Sequence, residues 1–124
     1  MISLPITTIV AAIAGLMLVI LGLTAGLRRA KTDISLGTDG DAILLQRVRA
    51  HGNFTEYTPI ALILLALVEM SGGSATQAWT IGGLLLVGRA LHAIGLIFSV
   101  LPGRVLGMLM TLASILYAVW LLLV

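Results

Sequence analysis

Polar and apolar positions fall into four long blocks along this chain. From Leu4 to Leu27 no residue is charged, and an apolar run of that length crosses a hydrocarbon core of about 30 Å with some tilt. Pro5 suits a first helical turn, where its missing N–H has no intrahelical partner to lose. Gly15, Gly22 and Gly26 face a related direction and predict close helix packing. Arg28-Arg29-Ala30-Lys31 ends the run at a membrane surface. The polar segment from Thr32 to Asp41, with Gly37 and Asp39-Gly40, has the chemistry of a loop, and Asp41 or Thr38 is placed to cap the next helix. This second helix is predicted over about 42–70, with Pro59 inside it expected to kink it. Ser71-Gly72-Gly73-Ser74 is a turn. A third helix is predicted over about 76–101, a break at Leu101-Pro102-Gly103-Arg104, and a fourth helix over about 105–124. The reading is an all-α integral membrane protein, one domain spanning 1–124 and built as a four-transmembrane-helix bundle.

Composition agrees. Hydrophobic residues make up 60% of the 124 and charged residues only 10%, against about 45–50% and 25% in soluble domains. The net charge of +2, from scattered basic residues, leaves no footprint for nucleic acid. With no cysteine the chain has neither a disulfide framework nor a protein thiolate, and two well-separated histidines make no metal motif. The N-terminal run lacks a basic n-region and is about twice the length of a signal h-region, so a retained first helix is expected. Basic residues cluster in the 1–2 connection (Arg28, Arg29, Lys31), at the start of helix two (Arg47, Arg49) and in the 3–4 turn (Arg104). The positive-inside rule then puts both connections in the cytoplasm and both termini outside it.

The segment Arg47–Pro59 is the anomaly. It carries Arg47, Arg49, His51, Asn53 and Glu56 directly into an apolar run, where ionisable groups cost about 2.5–3.5 kcal/mol each unless paired or wet. At helical spacing Arg49, Asn53 and Glu56 share one stripe, while Arg47 and His51 lie on another face. Helix three adds Arg89 and His92 on one face, and Arg89 is the expected partner of Glu56. These residues allow two readings. One is an internal polar clasp. The other is a binding site for an anion, because the arginines outnumber the available carboxylates and a guanidinium grips carboxylates bidentately. Anionic lipid headgroups compete for Arg28, Arg29 and Lys31. No serine has a visible His/Asp partner, so no hydrolytic constellation stands out.

The run Arg49-Ala50-His51-Gly52-Asn53-Phe54-Thr55-Glu56-Tyr57-Thr58-Pro59 resembles the helix-two signature of the MAPEG superfamily, the membrane-associated proteins of eicosanoid and glutathione metabolism. Val87-Gly88-Arg89-Ala90-Leu91-His92 and Pro102-Gly103-Arg104 resemble its later segments, so the likeness covers essentially the whole chain. The resemblance implies a homotrimer in which glutathione lies between subunits near the cytoplasmic face and a lipophilic electrophile enters from the lipid. By matching position it implies glutathione contacts from Arg49, His51, Asn53, Glu56, Tyr57 and His92, and a core role for Arg89. Arg28 or Arg29 would stand at the entrance, and Arg104 would stabilise the thiolate. It also implies a multi-pass protein of a bacterial inner membrane, acting as a glutathione transferase or glutathione-dependent peroxidase. The chain departs from characterised members at Gly52, Leu96, Val105 and Met108, which predicts a more apolar pocket. A small membrane transporter and a non-catalytic anion- or lipid-binding protein are the alternatives. The lack of an acid in helix one counts against a small multidrug exporter.

Overall fold

The computed structural model describes residues 3–124, and among these it consists of four helices and their connections. They are α1 (Pro5–Thr32), α2 (Ala42–Met70), α3 (Ala75–Ile97) and α4 (Leu101–Leu123), each long and apolar enough to cross a membrane. Met1 and Ile2, which precede the run considered as a signal segment, lie outside the described residues. α3 is the central element and packs against the other three helices; α4 rests on α3 and α2 and does not meet α1.

Helix ends explain why the chain breaks where it does. Pro5 opens α1, whose free amides are met by Glu69 from the far end of α2. The Glu69 carboxylate accepts from Ile6 N (3.0 Å), Thr7 N (2.8 Å) and the Thr7 hydroxyl (2.6 Å). Asp41 is the N-cap of α2 and accepts from Leu44 N at 2.6 Å. Ser74 and Gln77 close a reciprocal capping box at the start of α3.

Two predicted boundaries move. α1 continues through Arg28-Arg29-Ala30-Lys31 to Thr32, because the arginines find partners in the following loop and have no need to leave the helix. The break between α3 and α4 falls at Phe98-Ser99-Val100, where Ser99 has φ 57°, and Pro102 lies in the first turn of α4. That is the helical position proline tolerates best. α2 runs unbroken through Pro59.

The core has two parts. Towards the Glu69 end, Val10, Leu65, Ala78, Ile81, Leu85 and Ala118 pack together. Towards the loop end, Ala14, Leu21, Ala50, Phe54 and Ala93 do so. Much apolar surface stays outside, including Leu16, Leu23, Leu109 and Leu116, and in a membrane that surface contacts lipid. The close packing expected at Gly107 is present, whereas the α1 glycines are mostly open. Gly15 and Gly26 have open space beside them and Gly22 faces the His51 ring. The closest approach is between α3 and α4: a Cβ on Gly107 would meet the backbone N of His92, and one on Gly95 the backbone N of Arg104. Those two helices are held backbone to backbone.

Candidate functional site: a cationic centre between α2, α3 and α4

Arg89, only 1% exposed, is the largest fully buried side chain among the described residues. It stands about 21 Å along α3 from Ala75, at 1.5 Å per residue, and so lies deep in the bundle. Its Nε donates to the Thr111 hydroxyl of α4 at 2.8 Å. Nη1 donates to Asn53 of α2 through both Oδ1 (3.2 Å) and the backbone carbonyl (3.3 Å). Nη2 lies 3.9 Å from the Met108 sulfur, and the guanidinium carbon is 5.3 Å from the Tyr57 ring centroid. One side chain thus ties three helices together. Thr111 in turn donates to Gly107 O at 2.9 Å, so its hydroxyl is used in both directions.

Glu56 does not take the role expected of it. It points outward with Arg49, at 3.9 Å across a pair whose side chains are each 53% exposed, and Arg89 is satisfied by neutral groups. Three residues on, Glu56 lies about 60° round α2 from Asn53; Asn53 meets Arg89 of α3, and Glu56 falls on the exposed rim. Arg89 therefore carries a buried positive charge with no carboxylate in ion-pair range among the described residues.

His92 sits one turn beyond Arg89. It is 7% exposed, and its Nδ1 lies 2.8 Å from the backbone carbonyl of Arg104 in α4. A carbonyl only accepts, so Nδ1 carries the proton in this contact. Its Nε2 is buried without a partner among the described residues. His92 and Arg104, with Leu101, Val105, Met108 and Leu109, line an open cleft of ≈ 270 Å³ where α3 meets the first turns of α4. Arg104 itself is exposed and makes no ion pair among the described residues. Val105 and Met108 make the cleft wall apolar, while Leu96 packs into the core.

The remaining candidates are dispersed. Half-buried His51 lies against Gly22 of α1, away from the Arg104 cleft. Arg28 is paired with Asp41 (Nη2–Oδ2 2.6 Å, Nε–Oδ1 3.2 Å), and Arg29 Nη1 donates to Gly37 O and Ile34 O. Both thus brace the loop between α1 and α2. The Arg28 guanidinium, hydrogen-bonded to it, holds the Asp41 carboxyl below the usual carboxylate range, and the Leu44 amide acts in the same direction. Arg47 donates to Thr24 O, and Gln46 reaches across to the Ser99 hydroxyl at 2.6 Å. Thr111, Gln46 and Ser99 carried no signal in the sequence. Each is a common polar residue whose partner is more than twenty positions away.

Four membrane-length helices, three of them clasped by an internal guanidinium, with a second arginine free in a cleft beside it, define a multi-pass membrane protein with a cationic centre. The chain belongs to the MAPEG family, whose family model matches residues 6–124. It is similar to inner membrane protein YecN of Escherichia coli K12, with 34% identity over 95 residues that cover 70% of this chain and 72% of the relative. The YecN protein of Escherichia coli O6:H1 matches to the same extent. No solved structure matches the chain.

Proposed function

We propose that this protein is a membrane glutathione transferase-like enzyme. Glutathione would bind near the cytoplasmic face between the subunits of a homotrimer, and its thiol would be activated towards lipophilic electrophiles that arrive through the bilayer. The observation that carries the reading is the uncompensated positive charge: Arg104 free at a cleft and Arg89 buried one helix away, neither with a carboxylate partner among the described residues. Such a centre favours an anion, and glutathione brings two carboxylates and an ionisable sulfur. A guanidinium beside the sulfur lowers the thiol pKa from about 8.5 towards neutrality and raises the nucleophilic fraction. Membership of the family supports that assignment. Arg49, Asn53, Glu56 and Tyr57 supply polar groups on α2, with His51 on the face towards α1. The exposed Arg49–Glu56 stripe suits contact with a neighbouring copy. The apolar wall from Val105, Met108 and Leu109 suits a lipophilic co-substrate. Arginine enrichment at the loop end supports a cytoplasmic placement of that end, and similarity to the YecN inner membrane proteins supports a bacterial inner membrane.

The test is the ultraviolet absorbance of glutathione thiolate on titrating purified protein in detergent at neutral pH, with Arg104→Ala alongside. The wild type is expected to develop the band, and the variant to lose it at least about tenfold, the effect of one pKa unit. No binding to the wild type would remove glutathione and leave a cationic pocket for another anion.

A further inference from the structure

His92 is held in a way that the ion-binding reading does not need. Its Nδ1–H is committed to the Arg104 carbonyl (2.8 Å), so a neutral ring has its lone pair on Nε2. That Nε2 is buried and meets no donor among the described residues, although His92 forms part of the wall of the cleft that Arg104 enters. Buried acceptors without a donor are rare in folded proteins. Here the defect lies beside the guanidinium assigned to the thiolate. The charged groups acting on the ring are Arg89 from its own helix and Arg104 from α4, both cations that donate and neither able to accept a proton.

We infer that His92 is the proton acceptor for the bound thiol, an inference that rests on the glutathione reading. The backbone of α4 fixes the tautomer through Arg104 O, and Nε2 is the base. In the step, the S–H bond breaks, sulfur keeps the electron pair, and the proton forms an Nε2–H bond. The resulting imidazolium still donates through Nδ1 to Arg104 O, and Nε2–H now faces the thiolate that the Arg104 guanidinium also stabilises. The proton then leaves to water at the cleft mouth or to the leaving group of the electrophile. Arg104 and His92 thereby divide the work: one supplies permanent charge, the other moves the proton. Met108 and Arg104 line the same cleft as His92, and the flexibility of such side chains would let the wall open for sulfur to reach Nε2.

Two measurements test this. The first uses nitrogen-15 NMR of histidine-labelled wild type without ligand; the chain has only two histidines, and the signal absent from His92→Asn identifies the ring. The Nδ1–H tautomer is expected, and an Nε2–H tautomer overturns the inference without touching the glutathione reading. The second follows thiolate appearance by stopped-flow absorbance after mixing with glutathione, against binding of S-methylglutathione, which has no thiol proton. In His92→Asn, which retains a donor for Arg104 O, and in His92→Gln, thiolate appearance is expected to slow roughly 100-fold, the lower end of general-base effects. That loss should exceed any loss of S-methylglutathione affinity. Equal losses in the two readouts make His92 a structural residue only. Thiolate formation at the wild-type rate in both variants also overturns the inference, while Arg104 keeps its role. Absence of any thiolate with the wild type overturns both readings together.

Discussion

Thr111 shows how a single hydroxyl makes the centre possible. A buried guanidinium in a membrane bundle needs an acceptor for each donor it keeps from water, and Thr111 serves Arg89 Nε while passing its own proton to Gly107 O. Thr111→Val keeps the shape and removes the acceptor. The expected result is a loss of about 1–3 kcal/mol, the cost of an unsatisfied buried donor, seen as a lower midpoint in thermal unfolding in detergent. Thr111→Ser should recover most of it, whereas a pure packing role would let Val substitute freely. Asn53 was legible in the sequence as a polar residue on the stripe with Arg49 and Glu56, although its pairing with Arg89 was not. Thr111 was not, since threonine sits comfortably in membrane helices by bonding its own preceding turn. The same logic misassigned Glu56. Charge alone selected it for Arg89, and only the side of α2 facing α3 decides that a neutral amide does the job.

At the level of elements, the site depends on what holds helix ends in place. The loop between α1 and α2 is anchored by Asp41, which caps α2 and pairs with Arg28 at the same time. Because its folded-state pKa is lowered, Asp41 contributes stability that is present above the ordinary carboxylate value of about 3.9 and is lost as pH falls through the lowered value. Limited proteolysis of the 32–41 loop should therefore accelerate on acidification only below about pH 4. Asp41→Asn retains a capping oxygen but not the ion pair, so its proteolysis should be faster at neutral pH and change less with acid. Unchanged wild-type and variant profiles would show that the pair is idle. Asp41 as cap was readable from the polar run before an apolar block. The extension of α1 to Thr32 was not. A basic cluster normally marks where a span meets water, and the sequence does not reveal that Arg28 and Arg29 turn back onto the loop. Pro102-Gly103 likewise suggested a break, yet proline is equally at home in a first helical turn, and left-handed Ser99 makes the bend instead.

At the scale of the whole molecule, one surface of the chain conflicts with a lipid environment. Arg49 and Glu56 are each 53% exposed, their mutual contact is loose at 3.9 Å, and an exposed pair of that kind contributes at most about 1 kcal/mol. Facing hydrocarbon, each charge would cost about 2.5–3.5 kcal/mol near the membrane centre and less towards its surface. Association of copies through this face of α2 would remove the conflict by giving each charge a partner or a shared aqueous cavity. The proposed glutathione site between copies would need such an association. Native mass spectrometry from mild detergent is expected to show three copies for the wild type. In Arg49→Ala/Glu56→Ala the balance should shift towards smaller species, and the thiolate band should fall in step with the loss of trimer. A wild type that stays monomeric while still forming thiolate would place the whole site within one subunit. A variant that remains fully trimeric but loses the band would assign Arg49 and Glu56 to the ligand and leave assembly to the apolar faces of the helices.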